Sequence, residues 1–289
     1  MGKFAQSLGF EAVQVAAATA LRLGHDWVVP SAKDLALCLA LGVAPVDVML
    51  ALFGRAADPA SGGRQAPGAF GSRQARIVMT SAAAGRHIVQ AAGIAYASKV
   101  SGRDEVTLVC TDERGTAAGD WHEGINFAGA HSLPFICLVE DRAEATRRIT
   151  QRAEGSSAAR AEAYGLAAET IDGGDFAAAQ AAFKRAVARA RSKRGASLIH
   201  ANVVDLTAKT PAGARRPPEE LEALAAEDPI DRMRRHLVDQ GILDDATDDH
   251  LQRECAKIVA AAVEEARAAP SPDGPQALDN VFSRAQESG

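Results

Sequence analysis

The chain of 289 residues contains no apolar run near the roughly 20 residues that a helical bilayer span requires, so a membrane-spanning helix is not expected. Met1 to Leu8 lacks a basic lead followed by an apolar core and does not read as a secretory signal. Gln6 stands where a myristoylation motif needs Ser or Thr. A basic excess is missing too: 32 Lys and Arg face 37 Asp and Glu, a net charge of -5, which argues against a nucleic-acid binder. Cysteine is sparse. Cys38, Cys110, Cys137 and Cys255 fall in apolar patterns without metal-ligand spacing and are expected to be reduced core residues of a cytoplasmic protein.

The common signatures of chemistry are also missing. There is no G-x-x-x-x-G-K-[ST] or G-x-G-x-x-G loop for a nucleotide and no G-x-S-x-G elbow for a serine nucleophile. His122-Glu123 opens like a zinc helix, but the second histidine would have to stand at Asn126, so a plain helical first turn is the better reading. Gly62, Gly63, Gly68 and Gly71 could wrap an anion, without a motif that says so.

What is present is the composition of a soluble globular protein, 47% hydrophobic and 24% charged, on a chain long enough for a full core. Helical periodicity covers Phe10 to Leu21, Lys33 to Leu41, Pro45 to Phe53, and a small-residue helix from His87 to Val100. Asp58 to Ser72 is a long Gly/Pro loop. Apolar runs at Val106 to Cys110, Phe135 to Val139, Glu169 to Ile171 and Leu198 to Val204 read as strands alternating with helices, hence a mostly parallel sheet covered on both faces. Basic residues gather on a helix from Phe183 to Arg194 and read as a solvated face, the competing reading being a docking surface for an acidic partner. After Leu206, a Pro/Gly/Arg connector leads into acidic helices around Pro218 to Leu224, Ile230 to Gln240 and Thr247 to Arg267. The expected division is an α/β domain over 1–207 and a connector with a helical C-terminal arm over 208–289.

The segment from Val106 to Arg142 is the most informative. Two apolar runs joined by a helix from Ala117 to His131 form a βαβ unit, whose ligands sit beyond the carboxyl ends of the strands. At those ends lie Asp112, Glu113, Arg114 and Gly115, then Glu140, Asp141 and Arg142. Glu113 and Asp141 could hold a divalent cation as hard oxygen ligands. Arg114 and Arg142 beside them favour a carboxylate–guanidinium cluster instead.

A set of local sequences gives the order of these pieces a precedent: Gly9-Phe10-Glu11-Ala12, Asp26-Trp27-Val28-Val29-Pro30 through Asp34-Leu35, Gly62-Gly63-Arg64-Gln65, Pro67-Gly68 and Phe70-Gly71-Ser72. Gly119-Asp120-Trp121-His122-Glu123-Gly124, Asn126-Phe127-Ala128, Leu133-Pro134 and Asp228-Pro229-Ile230 continue it. On these the chain resembles, over nearly its whole length, the alpha subunit of the thiamine-diphosphate-dependent first component of 2-oxoacid dehydrogenase complexes of pyruvate and branched-chain type. The resemblance implies a thiamine-diphosphate-binding α/β fold. It implies a parent activity of oxidative decarboxylation of 2-oxoacids with acyl transfer to a lipoyl domain. It also implies thiamine diphosphate and Mg²⁺ as the family's cofactors, a beta-type partner subunit and an assembly of two alpha and two beta chains. Relatives carry a helical segment before the helix that starts here near Ala5, and its absence would expose apolar surface unless a partner covers it.

The departures from the family converge on one place. Its G-D-G turn, whose Asp binds Mg²⁺, falls on Asp112, Glu113 and Arg114; its second Mg²⁺ ligand, an Asn, falls on Arg142. Its Tyr-Arg pair for the diphosphate falls on Ala32-Lys33, which keeps a charge without the bidentate fork. Its Ser-Pro loop falls on Ala82-Ala83, the histidine of its Pro-Gly-His-Phe-Gly loop on Ala69, and Lys209 is nearest to its active-site histidine. The expectation is an Arg142–Glu113 pair standing in for the metal, with Lys33, Glu113, Gly115 and Arg142 as what is left of the cofactor site and no catalytic or metal-ligating residue. The chain then reads as a non-catalytic assembly or regulatory partner of a beta-type chain, self-association being the other expected contact. The alternative is a working subunit whose diphosphate site is rebuilt around Lys33, Glu113 and the helix N-terminus after Gly115.

Overall fold

The computed structural model describes residues 8–66, 69, 71–78, 85–142, 156–208 and 215–275. Pro67, Gly68, Phe70, Ala82, Ala83, Lys209 and the expected start near Ala5 lie outside the described residues. By contact the chain groups into two compact units: one of residues 5–43 and 71–250, the other of residues 1–4, 44–70 and 251–289.

The first unit holds helix α1 (Glu11–Ala20), strand β1 (Trp27–Val29) and α2 (Leu35–Ala40). After α3 (Pro45–Phe53) of the second unit, it continues with α4 (His87–Val100), β2 (Thr107–Asp112), α5 (Gly119–Ala130) and β3 (Phe135–Asp141). Then come α6 (Ser157–Ala163), β4 (Ala167–Asp172), α7 (Phe176–Arg191), β5 (Ser197–Asn202), α8 (Pro218–Ala225), α9 (Pro229–Asp239) and α10 (Asp245–Ala268), which runs on into the second unit. The five strands lie in the order β1-β2-β3-β5-β4 and every pair is parallel, as the apolar runs predict.

Burial explains the strands. All of β3 is buried, so it reads as a continuous apolar run rather than an alternation. Its odd-numbered residues Phe135, Cys137 and Val139 join Ile88, Trp121, Ile125, Ala158 and Leu198 in one core beneath α4, α5 and α6. Each large side chain so buried contributes roughly 1.5–3 kcal/mol. β4 closes the far edge and carries half-exposed Glu169, ion-paired to Arg185 of α7, the kind of charge that blunts an open edge. Alanines and Phe183 let α7 pack on α1.

In the second unit, Pro45 opens α3 in its first turn and Gly54 closes it in the left-handed region, as the sequence predicts. The Gly/Pro loop that follows is organised by the buried Asp58 carboxylate, which accepts from the backbone of Ala60, Ser61 and Gly63 and from the Ser61 hydroxyl. Ala56 and Arg55 tie that turn to the end of α10 through the carbonyls of Pro270 and Arg267.

Several expectations need correction. α7 begins at Phe176, where Asp175 caps it, rather than at Phe183; the alanine run Ala177–Ala179 is helix with little apolar contrast. α6 and the three-residue β1 are additional, both too short to show a period. Cys38, Cys110 and Cys137 are buried, but Cys255 lies exposed on α10. The basic helix is partly neutralised within the chain: Arg185 pairs with Glu169, and Arg191 with Asp26 and Asp104.

Close approach of backbone fixes which glycines matter. A Cβ on Gly129 of α5 would stand 1.9 Å from the Tyr164 carbonyl oxygen, whereas one on Gly93 of α4 would meet nothing within 4 Å. Gly129→Ala is therefore expected to destabilise the chain by about 1–3 kcal/mol, and Gly93→Ala to stabilise α4 by up to ~1 kcal/mol. Urea unfolding of the two variants reads both; equal shifts would contradict the packing of α5 described here.

Candidate functional site

β2, β3 and β5 end together, with Asp112 beside Glu140 and Asp141 beside Asn202 in register. The chain leaves β2 through Glu113 and Arg114 into a 3₁₀ turn, Gly115–Ala117, and then α5. Arg114 holds ordinary right-handed values, φ -70 and ψ -37, and neither Asp112 nor Glu113 has positive φ. The chain thus turns out of β2 without a residue of positive φ. Gly115 is required for a different reason: a Cβ there would stand 2.0 Å from Thr111 Oγ1. Its N–H donates to Asp112 Oδ1 at 3.2 Å.

Arg142, the residue after β3, is the hub. Its Nη2 lies 2.8 Å from Glu113 Oε1 and 3.5 Å from Asp112 Oδ2, and its Nη1 lies 3.2 Å from Asp205 Oδ2. Lys33 Nζ reaches Asp112 Oδ2 at 3.3 Å. The sequence-predicted residues Lys33, Glu113, Gly115 and Arg142 therefore do come together, and the expected Arg142–Glu113 pair is present. Glu113 is 1% exposed and Arg142 6%. Burial pushes the Glu113 carboxyl up, Arg142 pulls it down, and the neighbouring Asp112 adds to the rise. Burial works against the charge on Arg142, but Glu113, Asp112 and Asp205 together hold its pKa above the ordinary value. The two directions agree physically: three carboxylates share one guanidinium and one ammonium, so negative charge is in excess.

Two neighbouring clusters escape sequence reasoning. Gln14 of α1 is completely buried, and its Nε2 donates to Glu140 Oε1 at 2.8 Å and Asp34 Oδ1 at 3.2 Å. Asp34 also accepts from the Ser31 N–H. Burial raises both carboxyls; Asp34 pushes Glu140 further, well above its ordinary value, while the hydrogen bond with Glu140 works against the rise of Asp34, so one proton stays on the pair. A glutamine inside the run Val13 to Ala18 was the only signal. On the α6 side, His200 places Nδ1 2.7 Å from Ser157 Oγ and Nε2 3.4 Å from Asp141 Oδ2, all three buried. Asp141, weighed above as a cation ligand, thus faces His200.

The remaining candidates have structural roles. His122 Nδ1 lies 3.0 Å from the Tyr164 hydroxyl. Arg160 stacks over Trp121 at 4.8 Å and donates twice to Thr116 at 2.8 Å, which fastens α6 to the 3₁₀ turn. A polar cleft of about 620 Å³ opens beyond the strand ends, with Arg142, Asp172, Asn202, Asp205, Arg216 and Arg232 on its walls. Among the described residues no group of three or more His, Cys, Asp or Glu is arranged to hold a metal ion.

The Asp34–Glu140 pair sets a pH dependence. The native pair keeps a proton that the unfolded chain releases above the ordinary glutamate value of about 4.5, so stability falls as pH rises from there. Glu140→Gln removes most of that slope. The stability of the variant relative to the native chain is expected to grow from pH 5 towards pH 8 in chemical denaturation; a difference independent of pH would show that no proton is held.

Comparison with known proteins fits this layout. The family model described as "Dehydrogenase E1 component" matches residues 1–274. The chain is 36% identical over 289 residues to "2-oxoisovalerate dehydrogenase subunit alpha" of Bacillus subtilis (strain 168), covering 96% of this chain and 85% of that one. It is 29% identical over 257 residues to "Pyruvate dehydrogenase E1 component subunit alpha" of Acholeplasma laidlawii, covering 87% and 71%. A solved putative thiamin diphosphate-dependent enzyme from Mycobacterium smegmatis aligns with TM-score 0.46 and 14% identity over 68% of this chain. This chain spans 32% of that one, and the fold stands on the strand order rather than on this likeness. By the family match and the relatives together, the chain belongs to the dehydrogenase E1 component family, among the alpha subunits of 2-oxoacid dehydrogenases.

Proposed function

We propose that this alpha-type subunit is non-catalytic: its thiamine diphosphate and Mg²⁺ site has been replaced by internal ion pairs, and it serves as an assembly or regulatory partner of a beta-type chain in the cytoplasm. The observation that carries the reading is the 2.8 Å contact between Arg142 and Glu113 at the two positions that hold Mg²⁺ in the family. A divalent cation there would meet a guanidinium within van der Waals distance of its carboxylate ligand, and the residues present do not fit it. Asp112 adds negative charge where a diphosphate would lie, and Lys33 is engaged with it. No step through the cofactor follows from such a site. The α/β domain over 1–207 and the connector with its helical arm over 208–289 belong to the same reading, with the arm and the outer face of α4 open to partner chains.

One observation favours the alternative of a rebuilt diphosphate site. α5 begins at Gly119 without a side-chain cap, and a helix N-terminus of this kind favours an anionic group.

Calorimetric titration with thiamine diphosphate and Mg²⁺, on the chain alone and on the chain co-expressed with a beta subunit, separates the two. Neither preparation is expected to give saturable heat attributable to this chain's strand-end site. Micromolar, metal-dependent binding abolished by Lys33→Ala would replace the first reading by the second.

A further inference from the structure

The strand-end cluster contains more than a lost ligand set. Asp112 and Glu113 follow β2 and Asp205 follows β5, and all three direct a carboxylate oxygen at the one guanidinium that follows β3, at 3.5, 2.8 and 3.2 Å. Asp205 corresponds to neither of the two family positions considered so far. Lys33 pairs with Asp112 at 3.3 Å. Among the described residues the Glu113 carboxylate has Arg142 as its side-chain partner, and its second oxygen, Oε2, is buried with no hydrogen-bond partner there. A carboxylate buried in this way is held ionised by a cation or gives up its charge.

We infer that Asp112, Glu113 and Asp205 form a cation site whose resident cation is the tethered guanidinium of Arg142, and that a chain deprived of that side chain takes up a free guanidinium ion in its place. The inference deepens the preceding reading and rests on its assignment of Arg142 to the strand-end site. It adds Asp205 to the donor set and gives the pair a purpose. The guanidinium fastens the exit of β5 to those of β2 and β3, whatever becomes of the cofactor. Guanidinium fits the site as a planar donor of several N–H groups, whereas the three carboxylates are not arranged to hold a metal ion.

The test is thermal unfolding of the full chain at about pH 8, where protonation of Glu113 is the harder way to remove its charge. Arg142→Gly is expected to lower Tm by roughly 10 °C. About 5 mM guanidinium chloride, far below denaturing concentrations, should restore half or more of the loss. Equal ionic strength of NaCl should not, and the native chain should not respond. Rescue by guanidinium and not by MgCl₂ of equal ionic strength supports a site shaped for that side chain; no rescue by guanidinium, or equal rescue by MgCl₂, overturns the inference. A second pair covers failure to fold: Arg142→Met against the same change with Glu113→Gln and Asp205→Asn. Recovery of stable protein only when the carboxylates are also neutralised supports unmet charge as the defect. Equal behaviour of the two, folded or unfolded, assigns the loss to packing and overturns it. Thiamine diphosphate is present in no arm, so a cofactor titration that sinks the non-catalytic reading leaves this result standing, and the reverse.

Discussion

Where β2, β3 and β5 end, the backbone brings Asp112, Glu113 and Asp205 within reach of one another, and carboxylates drawn out of water repel unless positive charge lies among them. Arg142 supplies that charge from inside the chain. Because a guanidinium keeps its proton at any ordinary pH, the arrangement does not depend on the supply of a metal. The same fixed charge orders its surroundings. Lys33 shares Asp112 Oδ2 with it, Gly115 turns its N–H towards Oδ1, and the β5 exit is drawn in by Asp205.

Next to this paired cluster lies one neutralised differently. Asp34 and Glu140 are as deeply buried, yet Gln14 is their direct donor and they share a proton. The two clusters are joined through the sheet, since Asp112 and Glu140 are register partners. The carboxyl edge is thus rich in acids, some balanced by fixed cations and some by retained protons. That division of labour is what burial demands: a charge in low dielectric is paired or is not a charge. His200, between Ser157 and Asp141, is the third buried polar set at this edge.

The membership of the chain among the alpha subunits of 2-oxoacid dehydrogenases and the composition of this site pull in different directions. Gly124 and Gly129 of α5 sit where a Cβ would strike Ile88 and the Tyr164 carbonyl, and Trp121 fills the core below. The proposed loss of the cofactor site concerns the turn after β2 and the exit of β3, where the backbone runs without positive φ. A fold held by α5, its neighbours and the sheet tolerates new chemistry at strand ends, because loops beyond the sheet are positioned by it and do not support it.

The sequence by itself determined the parallel sheet, since Phe135 to Val139 and Leu198 to Val204 are apolar without alternation and are separated by helical patterns. It also pointed to the Arg142–Glu113 pairing, through opposite charges at the ends of two predicted strands, whereas Lys33 was indicated only by the family resemblance, since the three-residue β1 before it is too short to show a period. It could not yield Asp205, Gln14 or His200 as members of the site: Arg142 meets Asp205 across 63 residues of chain, and Gln14 meets Glu140 across 126. Nor could it place the start of α7, where alanines leave no apolar contrast to read. Periodicity and adjacent charge are local properties of a chain. Which polar groups share a buried space is decided only when the helices close over the sheet and water leaves.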